Sequence, residues 1–160
     1  MERFHTEAVG IDVSHVEYPA GITAADIEEQ LEEHDLALKE GDGITIETGN
    51  WASNYSTIDK ERKYNYRYEF CGLTEDAAEF LVDQGVELIA MDIISVDNPA
   101  NMVDFNYPVH AIAGEEELLL YENMANLEAV AGKRFTFMGF PLKIRDGTAS
   151  PVRAVAIVNE

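Results

Sequence analysis

The run Val86-Glu87-Leu88-Ile89-Ala90-Met91-Asp92-Ile93-Ile94 constrains the fold more than any other stretch of the chain. It is mostly apolar, with no clean alternation, and of strand length. Such a run suits a strand covered on both faces. Directly before it, Thr74-Glu75-Asp76-Ala77 opens the clearest helix of the sequence. Thr74 stands where a cap belongs, acids occupy the first turn, and Ala77, Ala78, Phe80 and Leu81 form an inner face up to the stop at Gly85. A helix feeding a doubly covered strand is an α/β arrangement.

The same alternation recurs along the chain. Residues 8–14 (AVGIDVS) read as a strand. Thr23 and Asp26 make a capping box for a helix over residues 24–33, with Ile27, Leu31 and His34 at inner spacing and Glu28, Glu29, Glu32 and Glu33 on the wet side. Gly41-Asp42-Gly43 is a turn, and residues 44–48 (ITIET) form a strand closed by Gly49. Residues 50–70 lack a period and are rich in tyrosine (Tyr55, Tyr64, Tyr66, Tyr68), which predicts a surface loop or lid. Residues 97–101 are turn-forming, 118–122 (LLLYE) a buried-type strand, and 127–130 a short turn or helix. Residues 135–140 and 152–158 are strand-like and flank a connection with a turn at Asp146-Gly147. No repeat appears. The expectation is one α/β domain over residues 1–160, with more strand than helix.

Charge narrows the function. Thirty-one acids against eleven bases give a net charge of -20, and only five of the bases are lysines. Such a surface repels phosphate backbones and disfavours nucleic-acid binding. The acids are spread over the whole chain, which fits a halophilic protein of a salt-rich cytoplasm where screening weakens self-repulsion, the plainer alternative being an acidic mesophilic protein. No apolar run reaches the length of a membrane span, and Met1-Glu2-Arg3-Phe4-His5 is no signal peptide, so a cytoplasmic location without a membrane partner is expected. The single Cys71 excludes an internal disulfide and a thiolate zinc cluster; in Phe70-Cys71-Gly72 it reads as a small apolar filler.

Four side chains could carry chemistry. His110, in Tyr107-Pro108-Val109-His110, is placed by its neighbours at a loop or strand edge. Glu122 ends the apolar run Leu118-Leu119-Leu120-Tyr121, where it either faces outward or is buried and therefore paired, hydrogen-bonded or metal-bound. An imidazole and a carboxylate are common ligands of a divalent metal, but two are half a site, since catalytic sites usually take three protein ligands. Asp92 and Asp97 lie at and beyond the end of a buried strand, where ligands of open α/β sheets bind, so each could contact or orient a substrate. For Asp97, side-chain-to-backbone capping of a turn is the stronger alternative. Neither a dinucleotide fingerprint, a phosphate-binding loop nor a Gly-x-Ser-x-Gly elbow is present.

The order of short blocks resembles the cyclase family of metal-dependent hydrolases, which includes bacterial kynurenine formamidases. The blocks are IDVSH at 11–15, GD at 41–42 through TG at 48–49, GLTEDAA at 72–78, DIISVD at 92–97, YPVH at 107–110, ENMANL at 122–127, and PLKI at 141–144 followed by SPVRAVAI at 150–157. The resemblance implies a swivelling β/β/α domain, dimers or tetramers, and a zinc- or manganese-dependent hydrolysis of amides such as N-formylkynurenine. It also implies that His110 and Glu122 are metal ligands. The family's remaining ligands and its catalytic histidine come from a His-x-Gly-Thr-His-x-Asp-x-Pro-x-His motif that nothing here matches: His5 and His15 have no histidine four residues away. Thr148-Ala149 also replaces the more usual Asp-Gly before Ser150-Pro151. No catalytic residue is identifiable in this chain, and substrate-binding residues are unknown. The expectation is therefore the C-terminal part of an arylformamidase-like hydrolase, whose motif lies upstream of an assigned start, resides on a partner chain, or has been lost in a non-catalytic homologue.

Overall fold

A computed structural model describes residues 2–54, 69–102 and 106–158. Its centre is a six-stranded sheet in the order β4-β3-β2-β1-β5-β6. The strands are β1 (His5–Asp12), β2 (Gly43–Glu47), β3 (Leu88–Met91), β4 (Leu119–Tyr121), β5 (Arg134–Met138) and β6 (Val155–Ile157). β1 to β4 run parallel, while β5 and β6 are antiparallel additions on the other side of β1. Helices α1 (Ala24–Glu33), α3 (Glu75–Asp83) and α4 (Pro108–Glu115) fill the three parallel crossovers, and the short α2 (Asn50–Asn54) follows β2.

Strand parity decides which residues meet the helices. Val9, Ile11, Ile44, Ile46, Ile89 and Met91 point to one face and pack with Ile27, Leu31, Ala77, Ala78, Leu81 and Val109 of the three crossover helices. Ala8, Leu88 and Ala90 point to the other face, which they share with Tyr121, Phe135 and Phe137 of neighbouring strands; Val130, Met124, Val152 and Ala154 pack with them. All four residues of β3 are buried, which is the double cover its composition demanded. The layers are held at one seam by Arg134, whose guanidinium grips both carboxylate oxygens of Asp42 at 3.0 and 2.8 Å and so ties β5 to the turn before β2.

Local signals operate as read in most places. α1 has the expected bounds, and Thr23 and Asp26 form the reciprocal capping box. His34 is its exposed C-cap rather than an inner-face residue. Thr74 sits at the N-cap of α3, but its hydroxyl donates to the Ile22 carbonyl at 2.9 Å and makes no cap bond. The isolated parallel bridges Ile22 to Leu73 and Leu73 to Asp97 explain this: the segment before α3 belongs to a small ladder of its own. Cys71 is buried, with its thiol donating to the Val16 carbonyl, and burial pushes its pKa up, as suits a filler. Of the predicted loop at 50–70, residues 50–54 are helical instead, and the tyrosines at 55, 64, 66 and 68 lie outside the described residues.

Candidate metal centre

Beyond the C-terminal ends of β3 and β4, three of the four side chains singled out in the sequence come together. His110 is not on a loop or strand edge; it lies in the first turn of α4. Pro108 occupies the first helical position, where its fixed φ and missing N–H cost nothing. The capping residue Tyr107 makes no side-chain cap bond. Asp97, distant in sequence, supplies it: its carboxylate accepts the N–H groups of Val109 at 2.8 Å and His110 at 3.3 Å. The same carboxylate takes Nδ1 of the His110 ring. Asp97 is fully buried and itself fixed by the ladder through Leu73. Gly72 makes that packing possible, because a Cβ there would stand 2.3 Å from the Asp97 carbonyl carbon.

Capping and orientation are thus one interaction. Held at Nδ1, the imidazole presents Nε2 to Glu122, whose Oε1 is 3.6 Å away. Glu122 follows β4 directly and is partly buried, its side chain 29% exposed, between the outward and buried alternatives. Its Oε1 accepts the Val96 N–H at 3.1 Å. Two consecutive residues, Val96 and Asp97, therefore set the positions of both Glu122 and His110. The hydrogen bond to Asp97 raises the His110 pKa, against an opposing effect of burial. Burial raises that of Glu122, and the Val96 N–H and His110 only partly offset it. Each group thus binds protons more tightly than it would in water, and a cation at Nε2 and Oε1 would compete with protons there.

Ile94, Ser95, Met102 and Tyr107 join the pair in lining an open cleft of about 460 Å³. Tyr107 meets the His110 ring edge-on with centroids 6.2 Å apart. Met102 was not singled out in the sequence, and Ile94, Ser95 and Tyr107 stood there only as members of the blocks at 92–97 and 107–110. A larger groove of about 740 Å³ shares Glu122 but lies along the outer side of β4 and lacks His110.

Asp92 does not join the cleft. It is fully buried, and its carboxylate accepts Thr48 N at 3.0 Å, Thr48 Oγ1 at 2.7 Å and Trp51 N at 2.9 Å, which fastens the start of α2. Beside it sits a carboxyl that the sequence reading passed over. Glu47, at the end of β2, is 5% exposed; Oε1 accepts the Gly49 N–H at 3.0 Å and Oε2 is buried without a hydrogen-bond partner among the described residues. Burial first, then the charge of Asp92, pushes its pKa up to about 7.

As a metal centre the arrangement offers an oriented Nε2 and a carboxylate oxygen, with Asp97 in the outer-shell position that usually fixes a ligating histidine. Among the described residues no group of three or more His, Cys, Asp or Glu side chains is placed to hold an ion. The donor chemistry fits a divalent metal, and the donor count is two.

Comparison with known proteins agrees with this fold. The chain is 31% identical over 88 residues to an isatin hydrolase of Roseibium aggregatum, a match covering 54% of this chain and 34% of that protein. It is 34% identical over 87 residues to a kynurenine formamidase of Delftia acidovorans, covering 54% of this chain and 40% of the relative. Among solved structures, an isatin hydrolase bound to the product analogue thioisatinate superposes with a TM-score of 0.83 at 24% identity, over 99% of this chain and 62% of that one. A potential metal-dependent hydrolase with cyclase activity superposes at 0.72 and 21% identity, over 99% of this chain and 68% of that one. The stretches matched in the curated relatives span well under half of their length. The family model described as putative cyclase matches residues 1–98, more than half of the sequence, and the chain belongs to that family.

Proposed function

We propose that His110 and Glu122 are two ligands of a divalent metal, zinc or manganese, in a metal-dependent amide hydrolase of arylformamidase-like specificity, acting on N-formylkynurenine or a related amide. The observation that carries this reading is the chain of contacts Asp97–His110–Glu122. A buried carboxylate spends its bonding capacity on aiming one imidazole nitrogen at a second carboxylate across an open cleft. A histidine kept only for packing would need no such aim.

When bound, the ion polarises an amide carbonyl and makes water acidic enough to act near neutral pH. The residues of this chain do the rest. Asp97 keeps the proton on Nδ1, so that Nε2 is the free lone pair. The Val96 N–H holds one oxygen of Glu122 in place. Tyr107, Met102 and Ile94 give the cleft an apolar wall suited to a flat substrate. The names of the relatives, kynurenine formamidase and isatin hydrolase, support an amide substrate of this kind.

A second reading rests on the donor count. Two ligands fall short of the three usual in catalytic sites, so activity would require ligands from an upstream segment or a partner chain, and without them the protein is a non-catalytic homologue. Metal analysis after dialysis against zinc or manganese, together with a formamidase assay, separates the readings. Weak metal uptake abolished by His110→Ala, with hydrolysis only when an upstream segment is supplied, is the expected result. Uptake unchanged by His110→Ala would overturn the ligand assignment.

A further inference from the structure

The face of the sheet opposite the helices carries a slot that takes no part in the metal centre. β1 lies between β2 and β5, and to the middle of this face it presents Ala8 and Gly10. Gly10 pairs with Thr45 of β2, and a Cβ on it would stand 2.2 Å from the Val130 carbonyl oxygen and 3.1 Å from Thr45 Oγ1. With so little side chain on β1, a hollow of about 230 Å³ is left between Thr45, Phe135 and Phe137 on one side and the segment 124–130 and β6 on the other. Ala129 and Ala156, both exposed, stand at its mouth. Thr45 supplies the one buried polar side chain of the lining. It is 2% exposed, and its Oγ1 has no hydrogen-bond partner among the described residues. Buried hydroxyls are normally paired, and valine would fill the same shape without an unmet hydrogen bond.

We propose that this slot is a binding site for a small uncharged ring compound carrying one hydrogen-bonding group, with the ring against Phe135 and Phe137 and the group on Thr45 Oγ1. Size, polarity and charge each narrow the class. Cavities of roughly 150 Å³ walled by apolar side chains stay dry and take up benzene, so the slot has room for one ring with a substituent. A water at Thr45 would find too few polar partners among aromatic and alanine side chains, whereas a ring bearing one polar group meets both kinds of wall. A hydroxyl donates and accepts, so the group is a carbonyl, an amine or another hydroxyl. No charged side chain lines the slot, so a cation would lose its hydration without a counter-charge. Anions are turned away by the net charge of -20. The slot is independent of the metal centre, because α4, which carries His110, packs on the opposite face through Val109.

The test is a titration of the 160-residue chain, labelled at its alanine methyl groups, with phenol and with toluene, which have the same shape and differ in the hydroxyl. Both probes should move the Ala129, Ala154 and Ala156 methyl resonances saturably and leave Ala77 and Ala78, on the helix face, in place. Thr45→Val should weaken phenol by roughly three- to tenfold, the worth of one hydrogen bond, and should not weaken toluene. Its thermal midpoint should not fall, because the hydroxyl it removes has no partner among the described residues. Ala156→Phe, at an exposed position paired with Phe137, should close the mouth and abolish the response to both probes without disturbing the core. Methyl groups that answer neither probe would overturn the inference. So would a Thr45→Val protein that binds phenol as the native chain does, or an Ala156→Phe protein that still binds both.

Discussion

Glu47→Gln should make the protein more stable, by an amount that depends on pH. The Glu47 carboxyl ordinarily titrates at 4.5, and burial together with Asp92 pushes it to about 7. The folded chain therefore holds this proton more tightly than the unfolded chain does. Between those two values the native state binds more protons, so stability falls as pH rises through the window, and the loss is complete above it. At about 1.36 kcal/mol per pH unit, a shift of that size costs about 3 kcal/mol at pH 8, an upper bound because nearby side chains relax. Glutamine keeps the shape, keeps an acceptor for the Gly49 N–H and removes the charge facing Asp92. Urea unfolding of both proteins at about pH 5 and about pH 8 gives the comparison. Near-equal midpoints at the lower pH and a clear advantage for the variant at the higher one are expected. A difference independent of pH would refute the reasoning, since it would place the effect in packing rather than in the charge.

Asp97→Asn keeps the caps to Val109 and His110 within reach but no longer holds the Nδ1 proton with a full charge. Affinity for zinc should fall by roughly 10–100-fold, read by calorimetry, with unaltered affinity counting against the orienting role. Gly10→Ala brings a Cβ within 2.2 Å of the Val130 carbonyl oxygen, which is backbone and cannot swing aside. A loss of roughly 1–3 kcal/mol or more is expected from overpacking, and an unchanged thermal midpoint would show that β1 and the 3₁₀ turn Leu127–Ala129, which Val130 ends, separate freely. The net charge of -20 predicts that stability rises with KCl concentration; equal unfolding midpoints in dilute and concentrated KCl would speak against the halophilic reading.

Much of the fold was legible because its signals are local. The capping box of Thr23 and Asp26 and the apolar run over residues 86–94 involve neighbours in sequence; α1 has the bounds its signal gave, and β3 (Leu88–Met91) falls inside the run. The site was legible only in part. His110 and Glu122 were recognisable as ligand types, but His110 was assigned to a loop because its helix is capped by Asp97, far away along the chain. The choice between capping and orienting for Asp97 had no answer in sequence, because the carboxylate does both. Glu47 went unnoticed inside a β-branched strand, although an acid there had to face a covered surface of the sheet. Residues 135–140 and 152–158 were read as strands from their apolar composition; both ladders hold, but β6 and the connection before it are exposed.

The central claim is that Nε2 of His110 and the carboxylate of Glu122 share a divalent ion. It is tested most directly by following the histidine ring nitrogens by long-range proton–nitrogen NMR while zinc is added. The account predicts that His110 carries its proton on Nδ1, that zinc shifts its Nε2 resonance while His5, His15 and His34 stay unchanged, and that Glu122→Gln weakens the response. A His110 ring indifferent to zinc, or shifted no more than the other three, would contradict it.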